Sequence, residues 1–118
     1  MSINETPPER GEIWLANLDP AIGSEIQKTR PVLVVSNNVN NIHNNVITVL
    51  PITSNVAKVF SFEVLIPKGT ANLPKDSKAK ADQIRTIDES RLAKRIGVLP
   101  KSLLTLMEEA IKKHLNLS

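Results

Sequence analysis

Pro31-Val-Leu-Val-Val35 is the stretch on which the fold turns. A continuous apolar run of this length suits a strand buried on both faces. Upstream, residues 12–18 alternate, placing Trp14, Ala16 and Leu18 on one strand face. Asp19-Pro20 then turns the chain, and Gly23 marks the following loop. Downstream, residues 37–45 are crowded with Asn, which hydrogen-bonds its own backbone in turns. Residues 46–52 read as a third strand ending around Pro51, whose missing N–H requires a sheet edge or bulge. A fourth strand is predicted over residues 60–66, with Phe60, Phe62 and Val64 alternating and Pro67-Lys-Gly69 closing it. Residues 78–84 suit a fifth and residues 95–99 a short sixth.

From Pro100 the pattern becomes helical. Leu103, Met107, Ala110, Ile111 and His114 follow a 3.6-residue period. Pro100 suits a first helical turn, while Lys112 and Lys113 suit the negative end of the helix dipole. Several short strands and one closing helix predict a mainly β fold: a small barrel or strongly bent antiparallel sheet that protects its own edges by curling.

The chain has 118 residues, 41% apolar and 23% charged, which is one globular domain rather than a disordered chain. Residues 1–9 read as a flexible tail and residues 10–118 as the domain. There is no cysteine, so neither a disulfide framework nor a thiolate metal site is available. The polar beginning is neither a secretory signal nor an anchor, and the apolar runs fall short of the ~20 residues that span a bilayer. A cytoplasmic protein is expected. The net charge of +3 permits a polyanionic partner without demanding one.

Three segments carry candidate chemistry. In Gly23-Ser-Glu-Ile-Gln-Lys-Thr-Arg30-Pro31, the proline keeps Arg30 extended at the mouth of a buried strand. There its planar fork of donors can hold a phosphate; a surface arginine paired with Glu25 would look the same. Leu50-Pro-Ile-Thr53-Ser54-Asn55 places small polar groups at a strand end, suited to phosphate, ribose or an ordinary turn. In Lys78-Ala-Lys80-Ala-Asp82-Gln83, two cations flank a carboxylate on one strand face, as an acid–base set or as a solvated surface. His43 and His114 fall in a loop and on the last helix, with nothing to pair them. Trp14 reads as core before it reads as a base-stacking ring.

Arg10-Gly-Glu-Ile-Trp14, Asp19-Pro20, Gly23-Ser-Glu25, Thr29-Arg-Pro-Val-Leu-Val-Val-Ser36, Pro51-Ile-Thr53 and Asp82-Gln-Ile-Arg-Thr-Ile-Asp88 together resemble the MazF/PemK (Kid) toxin family, in the same order. The resemblance implies an SH3-like barrel closed by a C-terminal helix and assembled as a homodimer. It also implies a toxin that cleaves single-stranded mRNA at short sequences, needs no metal or other cofactor and is neutralised by a cognate antitoxin. DNA would be met only through the antitoxin complex.

Position by position, the resemblance makes Arg30, Thr53 and Asp82 the catalytic residues. Glu25, Gln27, Lys28, Ser54, Lys80 and Gln83 are expected to contact RNA. Ser24 stands where PemK-like members have a functional histidine, and Lys80 where they have arginine. The implied route is attack by the substrate's own 2′-hydroxyl, leaving a 2′,3′-cyclic phosphate and a 5′-hydroxyl. Arg30 would stabilise the phosphorane and Thr53 donate to it, with Asp82 or Glu25 as base and Lys80 as acid. Base specificity is expected from residues 21–29 and 57–60. The competing functions are a protein-binding poison of the CcdB branch, directed at DNA gyrase, and a silent RNA-binding module.

Overall fold

The computed structural model describes residues 6–18 and 29–118. Its strands are β1 (Glu12–Asn17), β2 (Thr29–Val34), β3 (Val46–Thr53), β4 (Glu63–Ile66), β5 (Ser77–Lys80), β6 (Arg85–Asp88) and β7 (Leu92–Val98). A short helix, α1 (Asn38–His43), precedes β3, and α2 (Lys101–Leu115) ends the fold. All the described ladders are antiparallel. The order is β4-β5-β3-β2-β1-β7, with β6 also on β3. Among the described residues no ladder joins β4 to β7, so the sheet stays open rather than closing as a barrel.

The central run behaves as its composition demands. Leu33 of β2 lies in one buried cluster, with Leu50, Ile52, Val64, Ile66 and Met107, while Val32 and Val34 lie in the other. Trp14, Ala16 and Leu18 join that second cluster, together with Ile47, Val49 and Ile87. β2 is therefore buried on both faces, and the period-2 reading of β1 holds. On α2, Met107 and Ala110 are buried and Leu103 and Ile111 pack partly against the first cluster. His114 is exposed, its ring 6.1 Å from that of Phe62.

Five expectations change. The Asn-rich stretch forms α1 instead of a plain turn: the Asn37 side chain accepts the Asn40 amide at 2.8 Å, and buried Asn41 bonds with Ser36 through both ends of its amide. The chemistry that suits asparagine to turns also caps helices. Pro51 does not end β3. Thr48 accepts from Val35, so the even-numbered positions of β3 turn their peptide groups toward β2 and Pro51 turns away from it. On that outer side β6 pairs only through Val49 and β5 begins at Ile52, so the missing N–H falls at a change of partner.

β4 starts at Glu63 instead of residue 60, because the Phe60 carbonyl accepts the Glu63 amide in a turn. Finally, residues 78–84 are not one strand: β5 stops at Lys80, a 3-10 turn covers Ala81–Gln83, and β6 follows. β7 is longer than the short strand expected.

Two local features hold the frame. The buried Glu12 carboxylate accepts from the Glu9 amide (2.8 Å), the Trp14 indole (3.0 Å) and the Arg95 guanidinium (2.7 Å). Gly97 in β7 lies so close beneath the 70–72 turn that a Cβ there would sit 2.4 Å from the Ala71 carbonyl oxygen. Backbone cannot swing aside as a side-chain tip can. Gly97→Ala is therefore expected to cost about 1–3 kcal/mol, read as a lower midpoint in urea unfolding.

Candidate active site

Arg30 is the second residue of β2, and Pro31 holds it extended. β2 and β3 pair Val32 with Pro51, and Arg30 and Thr53 each lie two residues beyond that pair, at the same end of the two strands. Thr53 in turn pairs with Lys78 of β5. The start of β2, the end of β3 and the start of β5 thus meet at one rim of the sheet.

An open cleft of about 270 Å³ lies there, lined by Thr29, Arg30, Pro31, Ile52, Thr53, Ser54, Leu73, Pro74, Lys75 and Ser77. Residues of both strand faces contribute, so it opens across the strand ends. The Nε of Arg30 is buried without a hydrogen-bond partner among the described residues. The Thr53 hydroxyl oxygen accepts the Asn55 amide at 3.2 Å, and Asn55 accepts from Ala57 at 3.4 Å. The turn reading of this segment is therefore correct locally. It also leaves the hydroxyl hydrogen of Thr53 available to an acceptor in the cleft.

Lys80 and Asp82 belong to a neighbouring cluster around Glu63. The Glu63 carboxylate is buried, with Lys78 Nζ at 3.0 Å from one oxygen and Lys80 Nζ at 2.6 Å from the other. It also accepts the Phe60 amide at 2.9 Å. Burial pushes the Glu63 carboxyl up, but hydrogen bonds from Lys80, the Phe60 amide and Lys78 outweigh it and hold the group below its usual value. Asp82 sits 3.8 Å from Lys80 Nζ through an oxygen that makes no hydrogen bond among the described residues. Gln83 is exposed. A solvated strand face does not describe this region, since Lys78 is only 6% exposed.

The structure thus brings Arg30, Thr53 and Ser54 together and gathers Lys80 and Asp82 at Glu63 instead. Glu25, Gln27 and Lys28 lie outside the described residues. Sequence reading missed Lys75 and Ser77, which reach the cleft because β5 pairs with the end of β3. It also missed Glu63, whose one local signal is a carboxylate inside an otherwise apolar strand. Among the described residues no cluster of three metal-ligating side chains forms, and no helix is long and apolar enough to cross a membrane.

An open antiparallel sheet with a C-terminal helix and an arginine–threonine cleft at its rim defines the class of protein: a small β domain with a cationic rim site. Residues 9–115 match the family described as "PemK-like, MazF-like toxin of type II toxin-antitoxin system", and the chain belongs to that family. It is 48% identical over 113 residues to "Endoribonuclease MazF9" of Mycobacterium tuberculosis, covering 92% of this chain and 96% of that one. The crystal structure of MazF (Form-I) from Deinococcus radiodurans superposes with a TM-score of 0.82 at 27% identity, over 96% of this chain and all of that one. The toxin chain of the MazE-MazF complex (Form-II) from the same organism gives 0.76 at 27% identity, over 97% of this chain and 100% of that one.

Proposed function

We propose that this chain is a toxin endoribonuclease that cleaves single-stranded RNA in the cytoplasm without a metal ion, works as a homodimer and is neutralised by a cognate antitoxin. The observation that carries the reading is the Arg30 Nε, a buried donor without a partner among the described residues, at the rim cleft that Thr53 also lines. An orphaned buried donor costs free energy unless a ligand accepts from it, and a phosphate oxygen does so. The relatives named endoribonuclease favour RNA over a gyrase-poison role, and the MazE-MazF complex supports an antitoxin partner. DNA enters only through that toxin–antitoxin complex.

In this mechanism the substrate's 2′-hydroxyl loses its proton and attacks the adjacent phosphorus. The bond to the 5′-oxygen then breaks, leaving a 2′,3′-cyclic phosphate, and the departing oxygen takes up a proton. Arg30, permanently charged and planar, binds two oxygens of the phosphorane, where its charge is worth more than in water. Thr53 donates to a non-bridging oxygen. No carboxylate is present among the described lining residues, and proton removal falls to Glu25. Lys75, the other cation among those residues, protonates the leaving oxygen. Asp82, Lys80 and Gln83 lie outside the lining and are assigned to binding RNA beyond the scissile bond.

The test is incubation with long unstructured RNA in excess EDTA, followed by mapping of new 5′ ends. Discrete cuts bearing 5′-hydroxyls are expected. Intact RNA from well-folded protein would overturn the reading. Thr53→Val, which keeps the shape and removes the donor, is expected to lower kcat by about 10–100-fold, since a hydrogen bond to a charged group contributes about 1.5–3 kcal/mol.

A further inference from the structure

The loop between β3 and β4 leaves a large aromatic ring in water: Phe60 is 51% exposed. It is held there firmly. Its ring stacks on Phe62, with centroids 5.5 Å apart and planes 10° from parallel. Its amide is bound by Glu63, and Lys78 Nζ lies 5.9 Å from its ring centroid. The same Lys78 Nζ holds the Lys58 carbonyl at 2.5 Å. Glu63 and Lys78 thus clamp the loop at Lys58 and Phe60, to either side of Val59.

Placement gives the ring its meaning. Lys78 pairs in register with Thr53, which lines the cleft, so Phe60 lies within one lysine side chain's reach of that strand pair. Lys78 and Lys80 are both held on the Glu63 carboxylate, with Asp82 3.8 Å from Lys80 Nζ, so the ring stands beside a network of paired charges. Resting on the ribonuclease reading, we propose that Phe60 is a stacking platform for a nucleobase of the bound RNA, flanking the nucleotides in the cleft. Every base offers a π face, and stacking on an aromatic side chain contributes about 1–3 kcal/mol. A ring already immobilised loses little further entropy when a base settles on it.

The test is steady-state cleavage of an RNA oligonucleotide carrying the mapped cut site, by wild type, Phe60→Leu and Phe60→Trp. Phe60→Leu is expected to raise KM about 5–150-fold, the range equivalent to that stacking energy, with a smaller change in kcat. Phe60→Trp should keep the wild-type KM. Its emission should also change when RNA binds, and position 60 is the reporter because Trp14 is 5% exposed. A scan of single abasic nucleotides supplies a readout that mere structural support would not move. Removing one particular base should weaken wild type and leave Phe60→Leu indifferent.

Phe60→Leu cutting with unchanged KM would overturn the platform while sparing the ribonuclease, and would turn the ring toward a protein partner. A wild type that cuts no RNA would overturn both. Should Phe60→Leu lower the melting temperature, the abasic scan on Phe60→Trp and wild type decides: no base whose loss matters overturns the proposal.

Discussion

Arg30→Ala is expected to lower the cleavage rate by about 10²–10³-fold or more, the usual consequence of removing one preorganised donor from a developing oxyanion. Fold stability should be held or slightly raised. The substitution deletes a buried Nε that has no partner among the described residues, which removes a desolvation cost. Against this stands the lost packing of the arginine stem, so the net change stays within about 1 kcal/mol. Arg30→Lys should fall between the two, since an ammonium keeps the charge but not the two-pronged geometry. Single-turnover cleavage and urea unfolding on the same preparations check both halves. Wild-type cleavage by Arg30→Ala would remove the residue from the mechanism.

Glu63→Gln is expected to have the largest effect on stability, about 3–5 kcal/mol. The carboxylate is buried between two ammonium groups, so neutralising it leaves buried Lys78 without a counter-charge and Lys80 with only the more distant Asp82. Adding Lys78→Met to Glu63→Gln should recover part of the loss, because one uncompensated buried charge is then gone. Urea midpoints of the two single variants and the double variant measure this coupling. The pH dependence follows in sign. Folding holds the Glu63 carboxyl below its ordinary value of 4.5, so its contribution is fully present above that value. It is lost as pH falls below 4.5 and through the folded value. Glu63→Gln should flatten the stability profile in that acidic range, and an unchanged acid slope would show that Glu63 does not drive it.

The element types were readable where pattern and burial agree. Alternation over β1, the unbroken apolar run of β2 and the 3.6-residue stripe of α2 each report a local face buried against something. Reading failed where two local preferences compete. The asparagines at 37–44 suit a turn and a helix cap alike, and the cap prevailed because Asn41 is buried against Ser36. Residues 78–88 carry strand-like residues throughout, yet β3 accepts β5 and β6 over separate parts of its outer edge, which forces a turn at 81–83.

By itself, then, the amino-acid order determined a mainly β domain and its closing helix, which follow from periodicity acting over a few neighbouring positions. Residue chemistry left Arg30, Thr53 and Ser54 open between a phosphate site and an ordinary surface or turn, and the family resemblance singled them out. Tertiary structure alone decided which of them meet. The β2–β3 pairing brings Arg30 and Thr53 to one cleft, and the β5 pairings bring Lys75 and Ser77 to that cleft and Lys78 to Glu63. Register between strands is set by the whole sheet and its loops, and shifting it by one residue would turn every side chain to the other face. No short stretch of sequence carries that information.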